Sequence, residues 1–280
     1  MSKAEKTPET LSVVKLEIGQ LSCCIRGTTP LIFNCMSEKV RGHLLFPPAK
    51  KTAADRAMTM KHDPLTEYRD SIYAHITNDH PTRLFFPAGS FKRAMASAAI
   101  DLPGLKKAQI GRLVWIDAKD IDVYGVPQML MSVVRSADMN RTPDIRTRAV
   151  VSEWACRISI SYVRHLIKER DLGNLLAAAG LIIGVGDWRQ EKGSGSFGQF
   201  SVVDPDDANF EAIVKHGGRE AQDAALQRPS YFDLETEKLM TWFENEVQRR
   251  GPDQAASDKP KRRGTLRVPA HGNGDARAEA

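Results

Sequence analysis

Residues 175–203, LLAAAGLIIGVGDWRQEKGSGSFGQFSVV, decide how the chain is read. Leu172, Leu175, Leu176 and Ala179 recur at helical spacing and predict a helix with one apolar face. Asp171 is placed to cap its start, and Gly180 loosens its end. Glycines follow at 184, 186, 193, 195 and 198, and the Phe/Val run 197–203 predicts a short strand. Glycine tolerates positive φ and lets another backbone come close. Between the glycines stand Trp188, Arg189 and Lys192, an aromatic surface and two cations. Such a loop can hold a phosphate and stack a base. Gly186, Trp188, Arg189, Lys192, Gly193, Gly195 and Phe197 are therefore candidate binding residues. The other reading is a turn-forming connector with no ligand.

Two familiar glycine loops are excluded by their context. A dinucleotide fold needs its glycines after a strand and before a helix; these follow a helix and open a strand. A phosphate-binding P-loop needs Gly-Lys-Ser/Thr after a four-residue gap, whereas Lys192-Gly193-Ser194 reverses the order.

Working outward, residues 153–162 are the clearest strand. Trp154, Cys156, Ile158, Ile160 and Tyr162 alternate with Glu153, Ala155, Arg157, Ser159 and Ser161. Strict alternation predicts a sheet with one covered and one polar face. Residues 11–27 predict another long strand, with a one-residue slip at Gly19 that reads as a bulge. Adjacent Cys23 and Cys24 then point to opposite faces. Phe85-Phe86-Pro87 leads into a helix capped by Ser90, with Phe91, Ala94, Met95 and Ala98 as its stripe. Strands are predicted at 113–124 and 129–135, joined as a hairpin through Gly125-Val126-Pro127. A C-terminal helix is predicted over 233–250.

Two basic segments interrupt this order. The stretch 38–67 carries Lys39, Arg41, Lys50, Lys51, Arg56 and Lys61 and reads as an insertion or long loop. The stretch 136–150 carries Arg141, Arg146 and Arg148 around a proline and reads as a projecting arginine loop suited to phosphate contacts. Lys92 and Arg93 add two cations on the helix after Pro87. Either segment can also be a solvated charged loop.

With 280 residues, 41% hydrophobic and 27% charged, the composition is that of an ordinary globular chain. The net charge of +5 permits an anionic partner without demanding one. The four cysteines form no CxxC, and no Cys/His pair has zinc-ligand spacing. His75 and His80, five apart, belong to no metal motif, so no metal site and no cofactor are expected. No signal-type or membrane-spanning stretch is legible, and the chain reads as cytoplasmic.

The organisation reads as a polar, disordered 1–10, a domain over 11–215, a helical extension over 216–251, and a disordered tail over 252–280 with a basic run at 259–263. The core order is strand, helix, two or more strands, helix, strand. That is an α+β, ferredoxin-like (RRM-like) β-α-β-β-α-β plan with large insertions and a C-terminal helix.

Gly184-Val185-Gly186-Asp187-Trp188-Arg189, then Gly193-Ser194-Gly195-Ser196-Phe197-Gly198, with Phe86-Pro87-Ala88-Gly89-Ser90-Phe91-Lys92, resemble the RAMP superfamily over about residues 11–203. These are the ferredoxin-like, RRM-related proteins of CRISPR effector complexes. Size and a single set of core elements look most like the backbone subunit of such complexes. The resemblance implies a non-catalytic protein that binds single-stranded nucleic acid, guide RNA above all, with copies assembled head to tail beside other effector subunits. It would make the 141–148 segment a thumb or phosphate-contact loop and line the RNA path with the basic insertion. The same plan also fits a phage or mobile-element protein binding single-stranded DNA or RNA, an endoribonuclease using Asp55 or Asp63, or an interaction protein without nucleic acid.

Overall fold

A computed structural model describes residues 15–46, 61–135, 141–192 and 195–250. Lys50, Lys51, Arg56, Gly193 and both predicted disordered termini lie outside the described residues, and Lys192 is described in its backbone only.

The strand read at 153–162 sits at the centre. It is β8 (Ala155–Val163), and it pairs antiparallel with β1 (Ile18–Gly27) along nine consecutive positions, from Ile18↔Val163 to Arg26↔Ala155. That continuous register overturns the bulge expected at Gly19. The change of pattern there has a different cause. Gly19 faces Tyr162, and a Cβ on it would lie 2.6 Å from that ring. The glycine makes room for an aromatic in the neighbouring strand.

On the far edge of β1 lies β9 (Phe200–Val203). On the other edge of β8 run β4 (Val114–Ile116) and β5 (Asp120–Tyr124), with β3 (Phe85–Pro87) beyond β5. The central sheet therefore reads β3-β5-β8-β1-β9 with β4 beside β8. A second sheet, β2-β7-β6, is built from β2 (Leu31–Ile32), β6 (Pro127–Arg135) and β7 (Pro143–Val151). The protein is α+β, as expected.

The alternation in β8 does what it predicts. Cys156, Ile158, Ile160 and Tyr162 enter the main core together with Cys23 and Ile25 of β1. Cys24 points the other way, into a small cluster with Ala155 and Phe210. Helices cover the core face. After α1 (Glu38–Leu45) and α2 (Pro64–Asp70) comes α3 (Ala88–Ala98), which buries Phe91, Ala94, Met95 and Ala98. The Ser90 cap is not observed: Pro87 takes the cap position, because its fixed φ suits a helix entry, and Ser90 falls in the first turn. A short α4 (Lys107–Leu113) leads into β4, taking the start of the predicted 113–124 strand.

α5 (Glu169–Ala178) buries Leu172, Leu175 and Leu176. Its cap is Lys168, so Asp171 lies inside the first turn, where its charge complements the helix dipole. A π-helical turn, Ala179–Ile183, continues the helix to Gly184, whose φ of 74° stops it. After β9 come α6 (Ala208–His216), α7 (Arg219–Gln227) and α8 (Leu234–Arg250). α6 sets Phe210 on the second face of the central sheet. α8 packs beside β6 through the Thr236 hydroxyl, which accepts from the Met131 amide at 3.0 Å.

Two loop readings are corrected. β5 and β6 do not form a hairpin; they belong to different sheets. Gly125 between them donates its amide to Gly217, so the chain crosses from one sheet to the other instead of folding back. Over 143–151 the arginine segment is not a loop either. Residues 143–151 are strand β7, paired with β6 over nine positions from Pro127↔Val151 to Arg135↔Pro143. Thr147, Ala149 and Val151 are buried on alternate positions, a period of two that the proline and arginines masked.

Candidate nucleic-acid interface

A cleft of about 450 Å³ lies between α3 and the glycine segment. Its α3 wall carries Ser90, Arg93, Ala94 and Ser97. These recur at i, i+3, i+4 and i+7 and so share one helix face. Lys92, next in sequence to Arg93, lies off that face, half-buried and outside the cleft. The opposite wall runs from Ile183 to Asp187 and includes Arg189 and Glu191. Asn34, Tyr73, Phe86, Ala96 and Lys107 complete the lining.

The glycine wall is tied into the fold. The Gly184 amide donates to Ala179, Val185 to Gly198, and Asp187 to Ile32. Gly198 has φ of 72°, and a Cβ there would lie 1.6 Å from the Val185 carbonyl oxygen. A Cβ on Gly195 would meet the Trp188 carbonyl oxygen equally closely, and one on Gly186 would lie 2.8 Å from the Ile32 carbonyl oxygen. These glycines serve close backbone packing. Trp188 is packed as well: its ring lies 6.1 Å from Phe197, beside the buried Ile32, Leu130 and Val150.

The cations of this wall already have partners. Arg148 is ion-paired with Asp187 and stacks over Trp188, with its guanidinium carbon 5.8 Å from the ring centroid. Burial pulls the Arg148 guanidinium below its ordinary pKa, and the Asp187 charge opposes that shift. Arg189 holds Glu191 at 2.7 Å and donates to the Gly186 carbonyl at 3.1 Å. The α3 wall differs. Arg93 touches only the Ser90 hydroxyl, at 3.2 Å, and has no ion pair among the described residues. Lys107, which also lines the cleft, has none among them either.

One cation from each basic segment, Lys61 and Arg146, lies on Asp144 of β7, away from the cleft. Its Oδ1 lies 2.5 Å from Lys61 and 2.9 Å from His62, and its Oδ2 lies 3.5 Å from Arg146. Burial raises the Asp144 pKa, but hydrogen bonds and charge from Lys61 and His62 outweigh it and hold the carboxyl below its usual value. Arg141 is exposed, with a positive φ of 46°. Asp63 caps α2 by accepting from the Thr66 amide and hydroxyl, while Asp55 lies outside the described residues. Lys107, Asn34 and Tyr73 were not singled out from the sequence. No spacing links them, and only the fold brings them together.

No protein-family model matches the sequence, and no curated protein matches it. Among solved structures, the chain is similar to Cmr6 from Pyrococcus furiosus, with 9% identity over 67% of this chain and 98% of that one, at a TM-score of 0.32. It is also similar to a chain of the Type III-B Cmr-beta complex bound to cognate target RNA, with 13% identity over 65% of this chain and 59% of that one, at a TM-score of 0.30. Among the described residues, no helix is long and apolar enough to cross a membrane.

Proposed function

We propose that this protein is a non-catalytic subunit that binds single-stranded RNA in the cleft between α3 and the glycine segment. The observation that carries the reading is the pair Arg93 and Lys107, two cations at one cleft with no carboxylate of their own among the described residues. Asp187 and Glu191 in the same cleft are each engaged by an arginine. Cations in this state are available to phosphates, which supply most of the affinity when sequence is not read. The half-buried, polar cleft suits a strand that passes through it.

The sheet order supports a RAMP-type core. Taking β1, β5, β8 and β9 as its four strands, the order last-first-third-second is that of the β-α-β-β-α-β plan. The β6–β7 pair then stands as an insertion between the second and third core strands. On this reading the strand is a guide RNA, the setting is a CRISPR effector complex in the cytoplasm, and copies repeat head to tail along it. Head-to-tail contacts extend as long as the rotation between copies does not close a ring.

Fluorescence anisotropy with labelled single-stranded RNA and DNA of one sequence tests this. The expected result is RNA binding that weakens steeply with salt, is indifferent to sequence, and leaves the RNA intact. A ladder of RNA lengths should add whole copies stepwise in mass measurements. Equal or tighter DNA binding moves the reading to a general single-strand binder. No binding of either strand at low salt overturns it.

A further inference from the structure

On the β5 side of the central sheet, two histidines converge on one carboxylate. His75 Nε2 lies 2.8 Å from Asp122 Oδ1, and His80 Nδ1 lies 3.3 Å from the same atom. One ligand atom from each of the three residues falls within 4.8 Å of the others. We propose that His75, His80 and Asp122 form a binding site for a divalent transition metal of the zinc type.

The spacing fits the ion. Ligand atoms at about 2.0–2.1 Å around a tetrahedral Zn²⁺ stand roughly 3.3 Å apart, close to the 2.8 and 3.3 Å that separate the two imidazole nitrogens from Asp122 Oδ1. Two imidazoles and a carboxylate are a common donor set for such ions, and three protein ligands leave one position open. The site is also held in place. His75 is buried, its amide donates to Arg83, and its ring lies 4.7 Å from that of Phe85. Asp122 is fixed by the β3–β5 pairing. His80 sits in a connection clamped by Arg219 at the start of α7. That guanidinium donates to the carbonyls of Thr77, His80 and Thr82 and to the Asn78 side chain.

The two rings now lie face to face, 3.5 Å apart and within 5° of parallel. An imidazole donates in its own plane, so capturing an ion requires one ring to turn out of the stack. His80 can do this, because its side chain is 39% exposed while that of His75 is 8% exposed. The sequence hid the site: two histidines five apart match no motif, and Asp122 arrives from a distant strand.

The test is titration of the chelator-treated full-length protein with Co²⁺ near neutral pH, read by its visible d–d absorption, with Zn²⁺ as competitor. One saturable equivalent is expected, displaced by Zn²⁺. His80→Ala and Asp122→Asn should each weaken it by about tenfold or more, with circular dichroism unchanged. Cys35→Ser, at the half-buried cysteine, should leave it intact. Absence of saturable binding overturns the site, and so does wild-type affinity in either ligand variant. Should Asp122→Asn fail to fold, His80→Ala alone decides, since it alters only a partly exposed ring. Neither outcome bears on RNA binding at the cleft, so the two readings stand or fall separately.

Discussion

The two walls of the cleft face the same space but use their polar groups differently. The glycine wall spends its groups internally. Its amides bond within the fold, Arg148 is paired with Asp187 over a packed Trp188, and Arg189 holds Glu191. The α3 wall leaves Arg93 without an ion pair among the described residues and presents it on a face with two serines. Richness in glycine and charge therefore marks the wall that shapes the cleft, and on the proposed function the arginine of α3 marks the wall that meets RNA. A charge already neutralised by a neighbour adds little to phosphate binding, whereas an unpaired one releases counterions in full.

That contrast can be broken first at Gly198. Gly198→Val would place a side chain against the Val185 carbonyl at a positive φ. A loss of about 3 kcal/mol or more is expected in a denaturant titration, whether or not RNA is present. A Gly198→Val variant as stable as the parent would show that the glycine wall is not built by close packing.

Removing the carboxylate from the paired arginine comes next. Asp187→Ala leaves Arg148, a half-buried cation, without its counter-charge. About 1–3 kcal/mol of stability should be lost, and Arg148→Met/Asp187→Leu together should recover most of it. The same double variant should bind RNA nearly as well as the parent.

The α3 wall should behave oppositely. Arg93→Ala and Lys107→Ala are expected to leave stability within about 0.5 kcal/mol, as for most surface changes. Each should instead lower the slope of log affinity against log salt by about 0.7, the loss of one phosphate contact on a single strand. Lys92→Ala, one residue away and off the cleft, should leave the slope unchanged and serves as the control.

The smallest effect is that of pH at Asp144. Its folded carboxyl titrates below its unfolded value, so the stabilisation is complete above the unfolded pKa and disappears as pH falls through the folded one. Asp144→Asn should remove that acid-dependent component. Parent and variant should differ at neutral pH and converge in strong acid, as followed by thermal melts across the acid range. Parallel curves would mean that Lys61 and His62 do not act on this carboxylate.

Much of the framework was legible because it rests on period alone. The alternation of β8, the stripe of α3 and the leucines of α5 each declare a buried face within a few residues. Legibility ended where the deciding partner was distant in sequence. The proline and three arginines of 141–148 looked like a loop, yet Thr147, Ala149 and Val151 bury one side of a strand against β6 and β2. Gly19 suggested a bulge because its reason, the ring of Tyr162, is contributed by another strand. Trp188 looked available for stacking because nothing nearby in sequence shows that Phe197 and Arg148 close over it.

The sequence by itself determined strands β1, β8 and β9, helices α3, α5 and α8, the α+β class and the placing of a glycine segment between α5 and β9, because periodicity and backbone freedom are local properties. Only the tertiary structure decided which charges are spent and which remain. It set Lys61 and Arg146 on Asp144 and Arg148 on Asp187, left Arg93 without an ion pair among the described residues, and gathered His75, His80 and Asp122. Pairing depends on distances of a few ångströms between residues far apart in the chain, and the fold alone sets those distances.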